Sequence, residues 1–169
     1  MMGKSADGRG FRRWSPVWLA MLALAAMGEV QAMGKMCMFS AVQGVVTEHG
    51  KPVQGAVIRR GFFWHWKSER GSDEATTDEQ GHFALPAIWR SSLFGALLPH
   101  EPVVEQQISI EYGGRSYVAW SFMKGSYREN DELFGRPLEL RCPLENEPVK
   151  HRLKEDHVEH DIFGICELP

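Results

Sequence analysis

The residues best suited to chemistry lie near the C-terminus, where His151, His157 and His160 stand close to Glu159 and Asp161. Imidazoles and carboxylates ligate zinc and similar ions, and on a helix His157, His160 and Asp161 would share one face. The run lacks the H-E-x-x-H spacing of metalloproteases, and a solvated, charged tail accounts for the same residues without a metal. The second candidate is Phe62-Phe63-Trp64-His65-Trp66. On a strand, Phe62, Trp64 and Trp66 would face one way and Phe63 and His65 the other. An outward row of these rings, joined by Trp120, would grip a sugar or an apolar peptide; an inward row would fill the core. His65 alone reads as a satisfied histidine rather than a base. No serine, threonine or cysteine sits in a nucleophile elbow, and no glycine-rich phosphate loop follows a strand. The sequence therefore predicts no catalytic residue and no cofactor.

The first 32 residues read as a Sec signal peptide. Lys4, Arg9, Arg12 and Arg13 make a basic leader, Pro16 to Met27 an apolar stretch too short to span a bilayer comfortably, and Val30-Gln31-Ala32 a small-residue cleavage site. Cleavage after Ala32 would leave 137 of the 169 residues, with 15 basic and 20 acidic side chains and a net charge of −5. That length suits one domain. The acidic balance argues against nucleic acid or an anionic membrane as partner, and the expected location is the periplasm or the exterior.

Cys37, Cys142 and Cys166 all fall in the exported part, where disulfides persist. Three thiols allow one bridge. Cys142 with Cys166 is the favoured pair because it would staple the polar C-terminal segment to the last strand; Cys37 with Cys142 is the alternative.

The elements that must position these groups are mostly strands. Val45 to Thr47 and Ala56 to Ile58 flank a turn at Gly50-Lys51-Pro52, and Asp78 to Gly81 makes a tight reversal before His82 to Leu85. Val103 to Tyr112 and Arg115 to Phe122 form a hairpin about Gly113-Gly114, with Ile108, Ile110 and Tyr112 expected inward against Tyr117 and Ala119, and Trp120 on the other face. Between Pro86 and Pro99, Trp89, Leu93 and Leu97 recur at helical spacing and predict a short helical crossover near residues 88–98. The segment 145–161 is highly charged and partly helical at best. The pattern is all-β: a single antiparallel β-sandwich of about seven strands over residues 33–144, followed by a polar segment over 145–169.

The two turn signatures, GVVTEHGKPVQGAV and TTDEQGHFALP, resemble the carboxypeptidase-regulatory-like domain of the transthyretin (prealbumin-like) superfamily. Lys35 to Ser40, Leu98 to Pro102 and Phe163 to Cys166 are similar to a family of short exported Gram-negative bacterial proteins that shares this core. The resemblance implies a prealbumin-like fold and a non-catalytic role. One branch of the superfamily hydrolyses a purine-breakdown product and ends in a Tyr-Arg-Gly-Ser tetrapeptide, where this chain has Cys166-Glu167-Leu168-Pro169. The expected function is thus a non-enzymatic periplasmic protein-binding module, for instance an immunity or accessory protein. A small-ligand or carbohydrate-binding sandwich built on Phe62, Trp64, His65, Trp66 and Trp120 is the alternative, and a metal-dependent hydrolase stands third.

Overall fold

Alternating apolar and polar residues dominate the chain, and the computed structural model, which describes residues 34–92 and 99–169, turns that period of two into strands. Among the described residues there are twelve: β1 Lys35–Phe39, β2 Val42–Glu48, β3 Lys51–Pro52, β4 Val57–Trp64, β5 Glu69–Thr76, β6 His82–Leu85, β7 Ile88–Ser91, β8 Val104–Tyr112, β9 Arg115–Lys124, β10 Leu138–Pro143, β11 Val149–Glu155 and β12 Val158–Gly164. The all-β sandwich is as expected, with more strands than the seven anticipated. The signal segment, and residues 93–98 of the predicted helical crossover, lie outside the described residues. Within that crossover Ile88–Ser91 is strand β7 rather than helix, because it pairs antiparallel with β1, and backbone pairing outweighs the helical spacing of a few apolar side chains.

The large sheet has the order β11-β12-β9-β8-β4-β5. Facing it, β10 pairs in parallel with β2, which also pairs antiparallel with β3 and β6. Inward residues of both sheets make the core with Met38 of the separate β1–β7 pair, including Val42, Val46, Ile58, Ile108, Ile110, Leu138 and Leu140, each 2% exposed or less. Burying an aliphatic side chain of this size stabilises the fold by about 1.5–3 kcal/mol.

The predicted reversal before β6 forms as written. Asp78 Oδ1 accepts hydrogen bonds from the backbone N–H of Gln80 (2.9 Å) and of His82 (2.8 Å), and Gly81 N–H closes the turn onto the Asp78 carbonyl (3.0 Å). Gly81 is required there twice over. Its φ is +77°, and a Cβ would lie 2.5 Å from the Val46 carbonyl oxygen. Gly81→Ala should therefore cost about 1–3 kcal/mol, read as a lowered urea midpoint with an unchanged slope.

Two expectations are corrected. In the β8–β9 hairpin the register slips between Ile108 and Ser109, so Ile108 faces Trp120 while Ser109 faces Val118. The extra residue of this bulge turns both Ala119 and Trp120 into the interior, and Trp120 is not on the outer face. The charged segment after residue 145 is not partly helical: β11 and β12 form a hairpin from Val149↔Gly164 to Glu155↔Val158. Its edge strand β11 carries Lys150, Arg152 and Lys154 facing Asp161 and Glu159, which blunts an otherwise open edge.

Candidate binding site

Three inward positions that alternation assigns to apolar side chains carry polar ones instead: Arg60 between Ile58 and Phe62, Gln106 between Val104 and Ile108, and Lys124 after Phe122. A short 3-10 turn, Asp131–Leu133, drops Glu132 onto them from above. Lys124 and Glu132 are both fully buried, with Lys124 Nζ 3.0 Å from Glu132 Oε1. The other carboxylate oxygen accepts from Ser40 Oγ (2.6 Å), and Gln106 Nε2 donates to Oε1 (2.7 Å) and to the Met38 carbonyl (2.8 Å). Burial disfavours the charge on Glu132, but Lys124, Ser40 and Gln106 outweigh it and hold the carboxyl below its usual range. Beside them Arg60 forks onto Asp73 (2.9 and 2.5 Å) and donates to the carbonyls of Ser40 (3.0 Å) and Pro86 (2.5 Å).

This network has the residue types of an active site without access. Cys37, the free thiol, is buried 3.8 Å from Ser40 Oγ, and burial pushes it up, away from the reactive thiolate. Every charged donor has its carboxylate or carbonyl, and Lys124, Glu132, Ser40 and Arg60 are sealed from solvent. The arrangement organises the core: strands β4, β8 and β9 meet the 3-10 turn through it.

The residues singled out in the sequence divide differently from the way their spacing suggested. Phe62, Trp64 and Trp120 are core residues, with Trp64 wholly buried and its Nε1 donating to the Tyr127 hydroxyl (2.8 Å). They cannot form a ligand platform. Trp66 leaves the strand for the 3-10 turn His65–Lys67, is 40% exposed, and stacks on His100 at 4.1 Å. His65 pairs with Glu105 at 2.6 Å on the outer surface.

The predicted metal set does not converge either. His157 sits at the β11–β12 turn, and His160 and Asp161, as neighbours on a strand, point to opposite faces. His160 stacks on Phe134 at 4.2 Å and bonds the Glu132 carbonyl through Nδ1 (3.0 Å), while Asp161 is held by Lys150 (2.8 Å) and Arg152 (3.0 Å), which lower its pKa. Among the described residues no three His, Cys, Asp or Glu side chains gather to hold a metal ion. Cys142 and Cys166 do form the disulfide.

What spacing alone did not reveal is the outer face of the large sheet. A concavity of about 920 Å³ opens over it, between Phe63 and Arg70 at one end and Phe163 and Met123 at the other, with Gly61, Gln107 and Ser121 in its floor. Met123 and Phe163 are 53% and 43% exposed, and Arg70 lies over the Phe63 ring at 4.3 Å. Apolar side chains held open to solvent in a concave, partly polar surface are suited to contact with another molecule. Their signal in sequence is faint, because each is a single outward residue on a different strand.

An all-β sandwich with a sealed ionic core and an open sheet face is the class these features define. The sequence model of DUF6795, a domain of unknown function, matches residues 42–147, and the chain belongs to that family. No curated protein and no solved structure matches it.

Proposed function

We infer that the protein is a non-enzymatic, exported protein-binding module, and that the open face of the large sheet is its contact surface. The observation that carries this reading is the pairing of exposed Met123 and Phe163 with a concave floor, while the Lys124–Glu132–Ser40 cluster and the Cys37 thiol are sealed inside. The disulfide supports an oxidising compartment such as the periplasm, in keeping with the signal-like leader. The sandwich and its two turn signatures support a transthyretin-like, prealbumin-like ancestry. Small size and acidic charge suit an immunity or accessory protein acting on a periplasmic partner. No helix among the described residues is long and apolar enough to cross a membrane.

The mature chain from Met33 onward, used for affinity capture in periplasmic extract of its own host, should retain one protein in near-equal amount. Met123→Lys with Phe163→Asp should weaken that capture at least about ten-fold, the loss of about 1.4 kcal/mol, with no change in thermal midpoint. Retention of sugars or metal in place of a protein would overturn the reading.

A further inference from the structure

The two edges of the large sheet differ in their side chains. At β11 every second residue is basic: Lys150, Arg152 and Lys154 stand on one face beside Asp161 and Glu159 of β12. A second copy of β11 laid antiparallel along the first would set cation against cation, which guards that edge against self-pairing. The other edge, β5, has no such guard. Its eight residues, Glu69–Thr76, keep an unbroken register with β4 and contain no proline. Among the described residues its far side takes part in no backbone hydrogen bond. Even its inward side chains, Glu69, Asp73 and Ala75, are only half-buried. Such an edge offers its N–H and C=O groups to another strand.

The charges of β5 select that strand. Opposed residues of an antiparallel pair share a face, so a two-fold axis relating two copies must pass through one residue and its own counterpart. An axis at Arg70, Asp73 or Glu74 would oppose identical charges, and an axis at Gly71 would set Glu69 against Asp73. An axis at Ser72 sets Ser72 against Ser72, Gly71 against Asp73, Glu69 against Ala75, and Arg70 against Glu74 twice over. Of the registers that overlap most of the strand, only this one opposes no like charges.

The same two residues are poorly matched within a single copy. Arg70 is exposed, rests on the Phe63 ring at 4.3 Å, and has no carboxylate in ion-pair reach among the described residues. Glu74 shares one cation, Arg59, with Glu111, at 3.6 and 3.5 Å. A second copy, inverted by the axis, brings each the opposite charge.

We propose that two copies of the protein join through β5, antiparallel about Ser72, with Arg70 of each copy turned from its Phe63 ring towards Glu74 of the other. Backbone hydrogen bonds along the edge supply the affinity, and the charges set the register. The two six-stranded sheets become one continuous sheet. Ser72 carries the row of Ser121, Gln107 and Gly61 out to this edge, and Arg70, Gly71 and Ser72 line the outer concavity. Pairing therefore brings the two concavities together at the axis. The pairing stands whether or not that face binds another protein.

Sedimentation of the mature chain from Met33 onward, over a micromolar to millimolar series, should show a monomer–dimer equilibrium. Arg70→Glu opposes acid to acid at two symmetric places and should weaken the dimer about ten-fold or more. Glu74→Arg should do the same, and Arg70→Glu with Glu74→Arg should restore it. Both side chains are exposed, so the circular dichroism of all three variants should match the wild type. Register is read by cross-linking, with Cys142 and Cys166 already bridged and Cys37 buried. Ser72→Cys should cross-link to itself under mild oxidation, and Arg70→Cys should cross-link to Glu74→Cys but not to itself.

A chain that stays monomeric throughout the series, a dimer indifferent to Arg70→Glu, or Arg70→Cys that links to itself would each overturn the proposal. A monomer whose β5 amides gain exchange protection only on adding a captured partner would overturn it in favour of another protein's strand, leaving the protein-binding reading intact.

Discussion

Glu132→Gln should lower the unfolding free energy by about 3–5 kcal/mol, because it leaves the Lys124 ammonium buried without its counter-charge. Both side chains are fully buried and 3.0 Å apart, so neither can turn to water for compensation. Lys124→Met should cost a similar amount by stranding Glu132. The double variant, Lys124→Met with Glu132→Leu, should recover much of the loss, since a buried pair replaced by apolar groups is often near neutral. Urea unfolding of the four proteins compares the broken pair with the replaced one; single variants no weaker than the double one would contradict the buried ion pair.

The same pair predicts the response to acid. The folded carboxyl of Glu132 titrates below its ordinary value, so the unfolded chain binds the extra proton first as the pH drops. Its contribution is fully present above the unfolded carboxylate range and is lost as the pH falls through the folded value. Stability between neutrality and mild acid should therefore fall less steeply in the double variant than in the wild type.

Replacing Cys142 and Cys166 together by alanine should cost about 3 kcal/mol and lower the thermal midpoint by roughly 10 °C. The bridge spans 24 positions of sequence, and without it the unfolded chain gains the entropy of that open loop. In the folded protein the bridge joins β10, of the smaller sheet, to the segment that follows β12 of the large one. Backbone bonds continue the join: Glu167 N–H donates to the Arg141 carbonyl (2.7 Å), Arg141 N–H returns to Glu167 (3.0 Å), and Ile165 N–H reaches Val118 (3.0 Å). Loss of the bridge should free the C-terminus first, seen as faster amide exchange at Glu167 than at Leu140. Equal protection at both would show that the backbone bonds alone hold the tail.

Local pattern was enough for the parts of the fold that depend on near neighbours. The Asp78–Gly81 reversal and the hairpin at Gly113-Gly114 could be read directly, because a turn is a property of four or five consecutive residues, whereas Lys51–Pro52, read as part of a turn, is the short strand β3 paired with β2. The all-β class followed from alternation, and the disulfide formed is the favoured of the two pairings that the sequence left open. Polar residues at inward positions were also visible in principle. Arg60, Gln106 and Lys124 each interrupt an apolar phase, yet their meaning needs Ser40 and Glu132, which are 92 residues apart in the chain and 2.6 Å apart in space.

The aromatic run shows the limit of periodicity. It placed Phe62 and Trp64 on one face correctly but carried Trp66 with them, whereas the chain leaves the strand at His65. At Trp120 one bulged residue reversed the face. The C-terminal histidines failed for a related reason: helical spacing brings residues 157, 160 and 161 together, and strand geometry separates them.

By itself, then, the sequence determined the all-β class and the tight turns at Asp78–Gly81 and Gly113-Gly114, and narrowed the disulfide to Cys142 with either Cys166 or Cys37, because backbone conformation and alternation are local. Tertiary structure decided which side chains were sealed inside as the ionic core, which rings faced water, and how Ser121, Gln107, Gly61 and Ser72 line up as one floor. That alignment depends on the register of four strands paired across the sheet, and register is set by long-range packing and a single bulge rather than by any stretch of neighbouring residues.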